Sequence, residues 1–419
     1  MRPGARLVAA LCLLATFLPL EAANGQTPVA AGERAAIQEL LDRRAEAVLS
    51  RDRAAFAATI DPGATAFRRD QLRMFDRARS IRFATYDLTA DWTRYGNLAR
   101  PADGKKYADA DAIAIPLTQE RYRVRSFDPA PAVEDVYFTF VRREGRWYIG
   151  GDSDLEDIGL FSVRHPWDFA RLSKATSESF MALRPQCSSD CGVQSELLDL
   201  AESSLKRLDA AWPVEWSRKV ILVVPPSDAA LARMLQASFD PSRFVAFAYA
   251  TIDPDDLSYA GNRILVNPPV IAGRPREEVI RILTHELLHV ATRELAGPFI
   301  PLFIDEGIAE FVGYGGVPGL AYLDAIVGSG AFDHKLPQDF SFSSGSGNDI
   351  YLSYQEGQSA VRYFIDTWGM KRFVSFYKRL GRARVTAGLA GWHLERALRQ
   401  TIGIGLRGFE KRWASSIGS

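Results

Sequence analysis

The chain has 419 residues, 47% of them hydrophobic and 24% charged, with 51 basic side chains balanced by 51 acidic ones. That length calls for two to three domains with ample core, and the composition is that of a soluble globular protein. Zero formal net charge excludes a global electrostatic drive toward nucleic acid or an anionic membrane, so no nucleic-acid partner is expected.

Residues 1–25 read as a secretory signal. Arg2 and Arg6 form a basic start, Leu7–Leu20 is an apolar run too short to span a bilayer comfortably, and Ala23-Asn24-Gly25 is a small-x-small cleavage site. The expectation is a secreted or extracytoplasmic protein that touches a membrane only if this segment stays uncleaved as an anchor. Cys12 would leave with the signal. Cys187 and Cys191, in PQCSSDCG, would then meet an oxidising compartment, which favours a disulfide over free thiols. A metal pair is the weakest alternative, since no other cysteine could complete it.

Residues 31–155 are expected as a first domain. ERAAIQELLDRRAEAVLSRDRAAFAATI, residues 33–60, has apolar residues at helical spacing and is expected as one helix, stopped at Asp61-Pro62-Gly63. The basic stretch from Arg68 to Arg82 is interrupted by Asp70 and Asp76 and reads as a solvated helix face. RFATYDLTADWTRY, ADAIAIPLTQERYRV and VEDVYFTFVRREGRWYIGGD read as strands, the last a hairpin turning at Glu144-Gly145. A long helix followed by a curved antiparallel sheet resembles the cone-shaped domains of the nuclear-transport-factor-two-like superfamily. That resemblance rests on pattern without a specific motif. It implies a pocket or a protein-contact module, not a particular chemistry.

Residues 156–185 are expected as a connecting segment and residues 186–419 as a second domain. QSELLDLAESSLKRLDAAW is an amphipathic helix and RKVILVVPP a buried strand, followed by a helix capped at Ser227-Asp228. RFVAFAYATID and NRILVNPP read as two further strands. Arg276–Leu295 and PLFIDEGIAEFV read as helices, separated by Gly297-Pro298 and Pro301. The loops GYGGVPG and SSGSGND follow, then helices near 351–368, 370–380 and 391–415. GYGGVPG follows no strand, so its glycines do not make a nucleotide loop. The whole reads as an α+β protein.

The helix over Arg276–Leu295 contains His285-Glu286-Leu287-Leu288-His289. Positions i and i+4 lie on one helix face, so both imidazoles project together and can converge on one ion. Zinc accepts two imidazoles and a carboxylate and keeps a fourth position for water. Glu286, beside that face, can take a proton from such a water at neutral pH. Apolar neighbours on both sides fit a buried active-site helix better than two incidental solvated histidines.

A third ligand is offered by Glu306 in FIDEGIAEF, because the turn after Ala296 can bring the second helix antiparallel to the first. Asp305 is the alternative ligand. Glu310, one turn beyond Glu306, suits a supporting role, accepting a hydrogen bond from a ligand histidine.

HELLH followed by DEGIAEF resembles the gluzincins, the thermolysin-like zinc peptidases that ligate zinc through two histidines and a glutamate. The resemblance spans roughly residues 190–415. It implies that His285, His289 and Glu306 bind Zn2+, that Glu286 activates water, and that the reaction is hydrolysis of a peptide or protein substrate. Gluzincins often place a Tyr or His from a later segment on the developing oxyanion. Tyr354 is the first choice for that role, Tyr351 the second and His334 a further candidate, against a reading of Tyr354 as a packed aromatic. His165 and His393 are expected to be structural or surface residues.

The glycine/glutamate motif with which the aminopeptidases of this clan hold a free amino terminus is missing upstream of His285, which favours an endopeptidase. VAFAYATI is a candidate edge strand for substrate backbone. Two other readings stand beside this one: an inactive zincin-like binding protein, and a zinc hydrolase of non-peptide amides or esters.

Overall fold

The computed structural model describes residues 29–186, 193–236, 245–267, 271, 273–317, 319–382 and 390–417. Residues 1–25, read above as a secretory signal, and Cys187 and Cys191, read as a disulfide, lie outside the described residues. No helix among the described residues is long and apolar enough to cross a membrane.

The first half opens with α1 (Ala31–Ser50), whose Ile37, Leu40, Leu41, Ala45 and Ala47 are buried at helical spacing. The single helix expected over 33–60 is broken. Arg51 takes a left-handed φ of 60° and closes α1, and the Asp52 carboxylate caps α2 (Arg53–Ala58) by accepting from the Ala54 and Ala55 N–H groups. After α3 (Thr65–Ala78) come β1 (Phe83–Asp91), α4 (Pro101–Lys106), β2 (Ala112–Ala114), β3 (Leu117–Val124), β4 (Ala132–Val136), β5 (Thr139–Arg143) and β6 (Arg146–Gly151). They form two three-stranded antiparallel sheets, ordered β1-β3-β4 and β2-β5-β6. The expected strand over 110–124 divides at Ile115-Pro116. The β5–β6 hairpin turns at Glu144-Gly145, both left-handed, as a two-residue primed turn requires.

The segment 156–185 is more than a connection. After α5 (Pro166–Phe169) it supplies β7 (Leu172–Thr176) and β8 (Phe180–Pro185), which join the sheet of the second half. That half continues with α6 (Val193–Ala211), β9 (Val220–Val223), α7 (Asp228–Leu235), β10 (Ala246–Ile252) and β11 (Tyr259–Val266). The five-stranded sheet runs β10-β11-β9-β8-β7. Strand β9 is parallel to both neighbours, and the two outer pairs are antiparallel.

Both faces of this sheet are covered, and its side chains alternate between them. Phe180, Ala182, Val220, Leu222, Ala246, Ala248 and Ile264 pack on the helices of the second half. Met181, Leu183, Ile221, Val223, Phe247 and Leu265 pack against Tyr122, Val124, Ala132 and Trp167 of the first half.

The chain ends in helices: α8 (Arg276–Arg293), α9 (Leu302–Gly313), α10 (Ala321–Gly328), α11 (Gly347–Trp368), α12 (Met370–Gly381), α13 (Ala390–Ile402) and α14 (Leu406–Ile417). The helix expected over 391–415 is two, parted at Gly403, whose φ is 77°. Ser346 and Asp349 form a reciprocal cap at the start of α11. The architecture is α+β, with mixed rather than purely antiparallel pairing in the larger sheet.

Candidate metal centre

Helix α8 is buried from Val279 to Arg293 except for Arg281, because the sheet, α6 and α9 all pack against it. His285, Glu286 and His289 fall inside that stretch. Helix α9 returns beside α8 and passes so close that a Cβ on Gly313 would lie 3.1 Å from the Arg281 carbonyl and 3.5 Å from the His285 Cβ. This approach places Glu306 against both histidines.

His285 Nε2 and His289 Nε2 are 3.1 Å apart. Glu306 Oε2 stands 3.1 Å from the first and 3.5 Å from the second. One ligand atom from each of the three residues falls within 4.8 Å of the others, so the group could hold a metal ion. All three side chains are at most 2% exposed, and neither Glu306 oxygen accepts an aligned hydrogen bond. A buried carboxylate without aligned donors, facing two imidazole nitrogens that also face each other, fits a cation at their centre.

Each histidine is held from behind by a carboxylate. His285 Nδ1 stands 3.0 Å from Glu310 Oε1, and His289 Nδ1 stands 3.3 Å from Asp305 Oδ2. Nδ1 facing a carboxylate fixes the tautomer that leaves Nε2 for a metal. Asp305, weighed above as an alternative ligand, thus lies behind His289 and outside the three-residue group. The carboxylates are themselves held: Tyr377 Oη donates to Asp305 Oδ1 at 2.5 Å, and Arg281 Nη1 lies 3.3 Å from Glu310 Oε2.

The electrostatics follow from this packing. Burial works to lower the His285 pKa, but contact with Glu306 and Glu310 outweighs it and raises the value to about 9. Burial likewise opposes charge on His289, whose pKa is nonetheless raised by Glu306 and Asp305. Burial raises the pKa of Glu286, against the pull of both histidines. Glu286 Oε2 accepts the Ala248 N–H of β10 at 2.7 Å, while its Oε1 is buried without a partner. Arg293 Nη2 donates to the Ala248 carbonyl at 2.8 Å, so both outward backbone groups of this edge residue are engaged by α8.

The candidates for the oxyanion role separate. The Tyr354 ring lies 6.4 Å from the His285 ring, centroid to centroid, and packs on Phe342. Tyr351 pairs with Tyr322, and His334 lies against Phe332. His165 stacks on Trp167 and contacts Glu120 in the first half, and His393 lies against Trp392.

The sequence reading overlooked Arg281, Tyr377, Arg293 and the Ala248 amide. Arg281 is one turn before His285 on α8 and was readable from spacing. Tyr377 reaches the centre only through the packing of α12, which no local pattern announces.

No family model matches the chain, and no curated protein matches it.

Proposed function

We propose that the protein is an exported zinc-dependent peptidase, most simply an endopeptidase. The observation that carries this reading is the buried His285–His289–Glu306 group, with Glu286 on the same helix. Two imidazoles and a carboxylate are a donor set suited to zinc. When bound, zinc supplies a Lewis acid that acidifies water and polarises a carbonyl.

The residues of the chain do the rest. Asp305 and Glu310 hold the imidazole rings with Nε2 free. Glu286, with a raised pKa and one unpartnered oxygen, accepts a proton and returns it to the leaving amine. Tyr354, whose ring lies 6.4 Å from that of His285, would be the donor to the developing oxyanion. Burial keeps bulk water from weakening these interactions. Export rests on residues 1–25 of the sequence alone.

A second reading draws on the same burial. Closed sites characterise structural zinc, so the protein would be a zincin-like binding module. A non-peptide amide or ester hydrolase shares the chemistry of the first reading.

The test is metal content on residues 26–419 and on Glu306→Ala, run beside a peptide-library assay with and without chelator. The peptidase reading expects about one zinc per chain, lost in the variant. It also expects chelator-sensitive cleavage that Glu286→Gln abolishes while keeping zinc. Zinc without cleavage would leave the binding module or the non-peptide hydrolase, and no zinc in either protein would sink all three.

A further inference from the structure

The first half grips one element of the second at three places, and that element is the β10–β11 hairpin. Asp128 takes Arg263 in a two-pronged pair, Oδ1 to Nη1 at 2.6 Å and Oδ2 to Nη2 at 2.9 Å, with both side chains buried. Tyr249 Oη, half-buried, donates to Glu134 Oε2 at 3.2 Å. Arg121 reaches the hairpin turn, with Nη1 on Asp253 at 2.7 Å and Nη2 on Asp255 at 2.6 Å. Between these contacts the backbones nearly touch. Gly261, at φ 63°, lies over Ala132, and a Cβ there would sit 2.7 Å from that of Ala132.

The other side of β10 meets the metal helix. Tyr249 and Ala248 are neighbours whose side chains take opposite faces of the sheet. Tyr249 turns toward Glu134, while the Ala248 N–H reaches Glu286 and its carbonyl receives Arg293. A path of one covalent step and two hydrogen bonds therefore joins Glu134 to Glu286.

We propose that the N-terminal half is a positioning element for Glu286: Glu134 and Asp128, through Tyr249 and Arg263, fix the edge strand whose Ala248 amide orients the Glu286 carboxylate. This rests on the peptidase reading for the role of Glu286, though not for the contact itself. Glu134, Tyr249, Asp128 and Arg263 touch neither the metal ligands nor a reacting atom in this scheme. Their effect passes through the strand. A misplacement of well under an ångström at a proton-accepting carboxylate is enough to slow turnover measurably.

The experiment compares Tyr249→Phe, Glu134→Ala and Glu134→Gln in the zinc-loaded chain, reading kcat, KM, zinc content and hydrogen exchange at the Ala248 amide. The first two variants are expected to lower kcat about 10-fold with KM and zinc content unchanged, and to speed exchange at Ala248. Glu134→Gln, which keeps an acceptor for the Tyr249 hydroxyl, should restore most of both. The Glu134→Ala/Tyr249→Phe double variant should be no worse than either single change.

Unchanged exchange at Ala248 in the first two variants overturns the proposal. So does faster exchange with unaltered kcat, because Glu286 would then be indifferent to the strand. If the wild-type chain cleaves nothing, the peptidase reading falls by itself, and exchange at Ala248 alone decides whether the grip acts on the strand.

Discussion

Gly307 of α9 and Gly357 of α11 meet backbone to backbone. A Cβ on Gly307 would lie 2.4 Å from the Gly357 carbonyl oxygen, and one on Gly357 would lie 2.8 Å from the Phe303 carbonyl. Glu306 immediately precedes Gly307 on α9 and Tyr354 lies one turn before Gly357 on α11, so this crossing sets the distance between the His285–His289–Glu306 group and the tyrosine.

Gly307→Ala is therefore expected to cost about 3 kcal/mol, the upper end for overpacking, because backbone rather than a flexible side chain must give way. Gly328→Ala, at the end of α10 with open space around it, is the control and should be neutral or slightly stabilising. Thermal unfolding of both proteins decides. Equal midpoints would show that the two helices separate at little cost.

Asp305 and Tyr377 set up the second test. Asp305→Ala removes the carboxylate behind His289 and should weaken zinc binding about 10- to 100-fold. Tyr377→Phe leaves Asp305 in place without its hydroxyl donor and should cause a smaller loss in the same direction. Competition against a chelating dye measures both. An Asp305→Ala protein that binds zinc as the wild type does would remove Asp305 from the account.

Glu356, outside the His285–His289–Glu306 group, provides a pH test. Its pKa is raised from 4.5 to about 8, first by burial and then by the Asp333 charge. The folded value lies above the unfolded one, so between about 4.5 and 8 the folded chain holds the extra proton. Stability must then fall as pH rises through that window. Glu356→Gln should lose less stability than the wild type between about pH 5 and about pH 9, by on the order of 1–2 kcal/mol. Denaturant titrations at the two pH values check this, and parallel losses would refute it.

Asp128 and Arg263 form a buried pair between the two halves. Asp128→Leu alone leaves a buried guanidinium without its partner and should cost about 3–5 kcal/mol. Adding Arg263→Met removes that charge and should recover most of the loss. A double variant as unstable as the single one would mean that the pair itself, rather than avoidance of a lone charge, supports this interface.

The parts of this molecule legible from sequence were those governed by near neighbours. His285, Glu286 and His289 are fixed on one face by helical spacing, and Glu306 follows once α9 is antiparallel to α8. That Glu310 would back a ligand histidine also followed from one helical turn, but which histidine did not. The break at Arg51 was hidden, since a non-glycine residue in the left-handed region carries no compositional mark. Strands β7 and β8 were missed because Leu-Ser-Lys-Ala-Thr reads as a loop, and β8 pairs in parallel with a strand far along the chain. The placement of Asp305 behind His289 depends on the angle between two helices, which sequence does not encode locally.

The position of β7 and β8 has a practical consequence for anyone dividing the chain. A fragment begun at residue 186 would discard two of the five strands in the sheet under α8. It would turn β9, buried on both faces, into a bare edge ready to pair with another copy. It would also strip the cover from Ile221, Val223, Phe247 and Leu265. Such a fragment would be recovered as aggregate, and its inactivity would say nothing about the metal site. Residues of both halves share one buried cluster, so the chain is best cut, if at all, before residue 29.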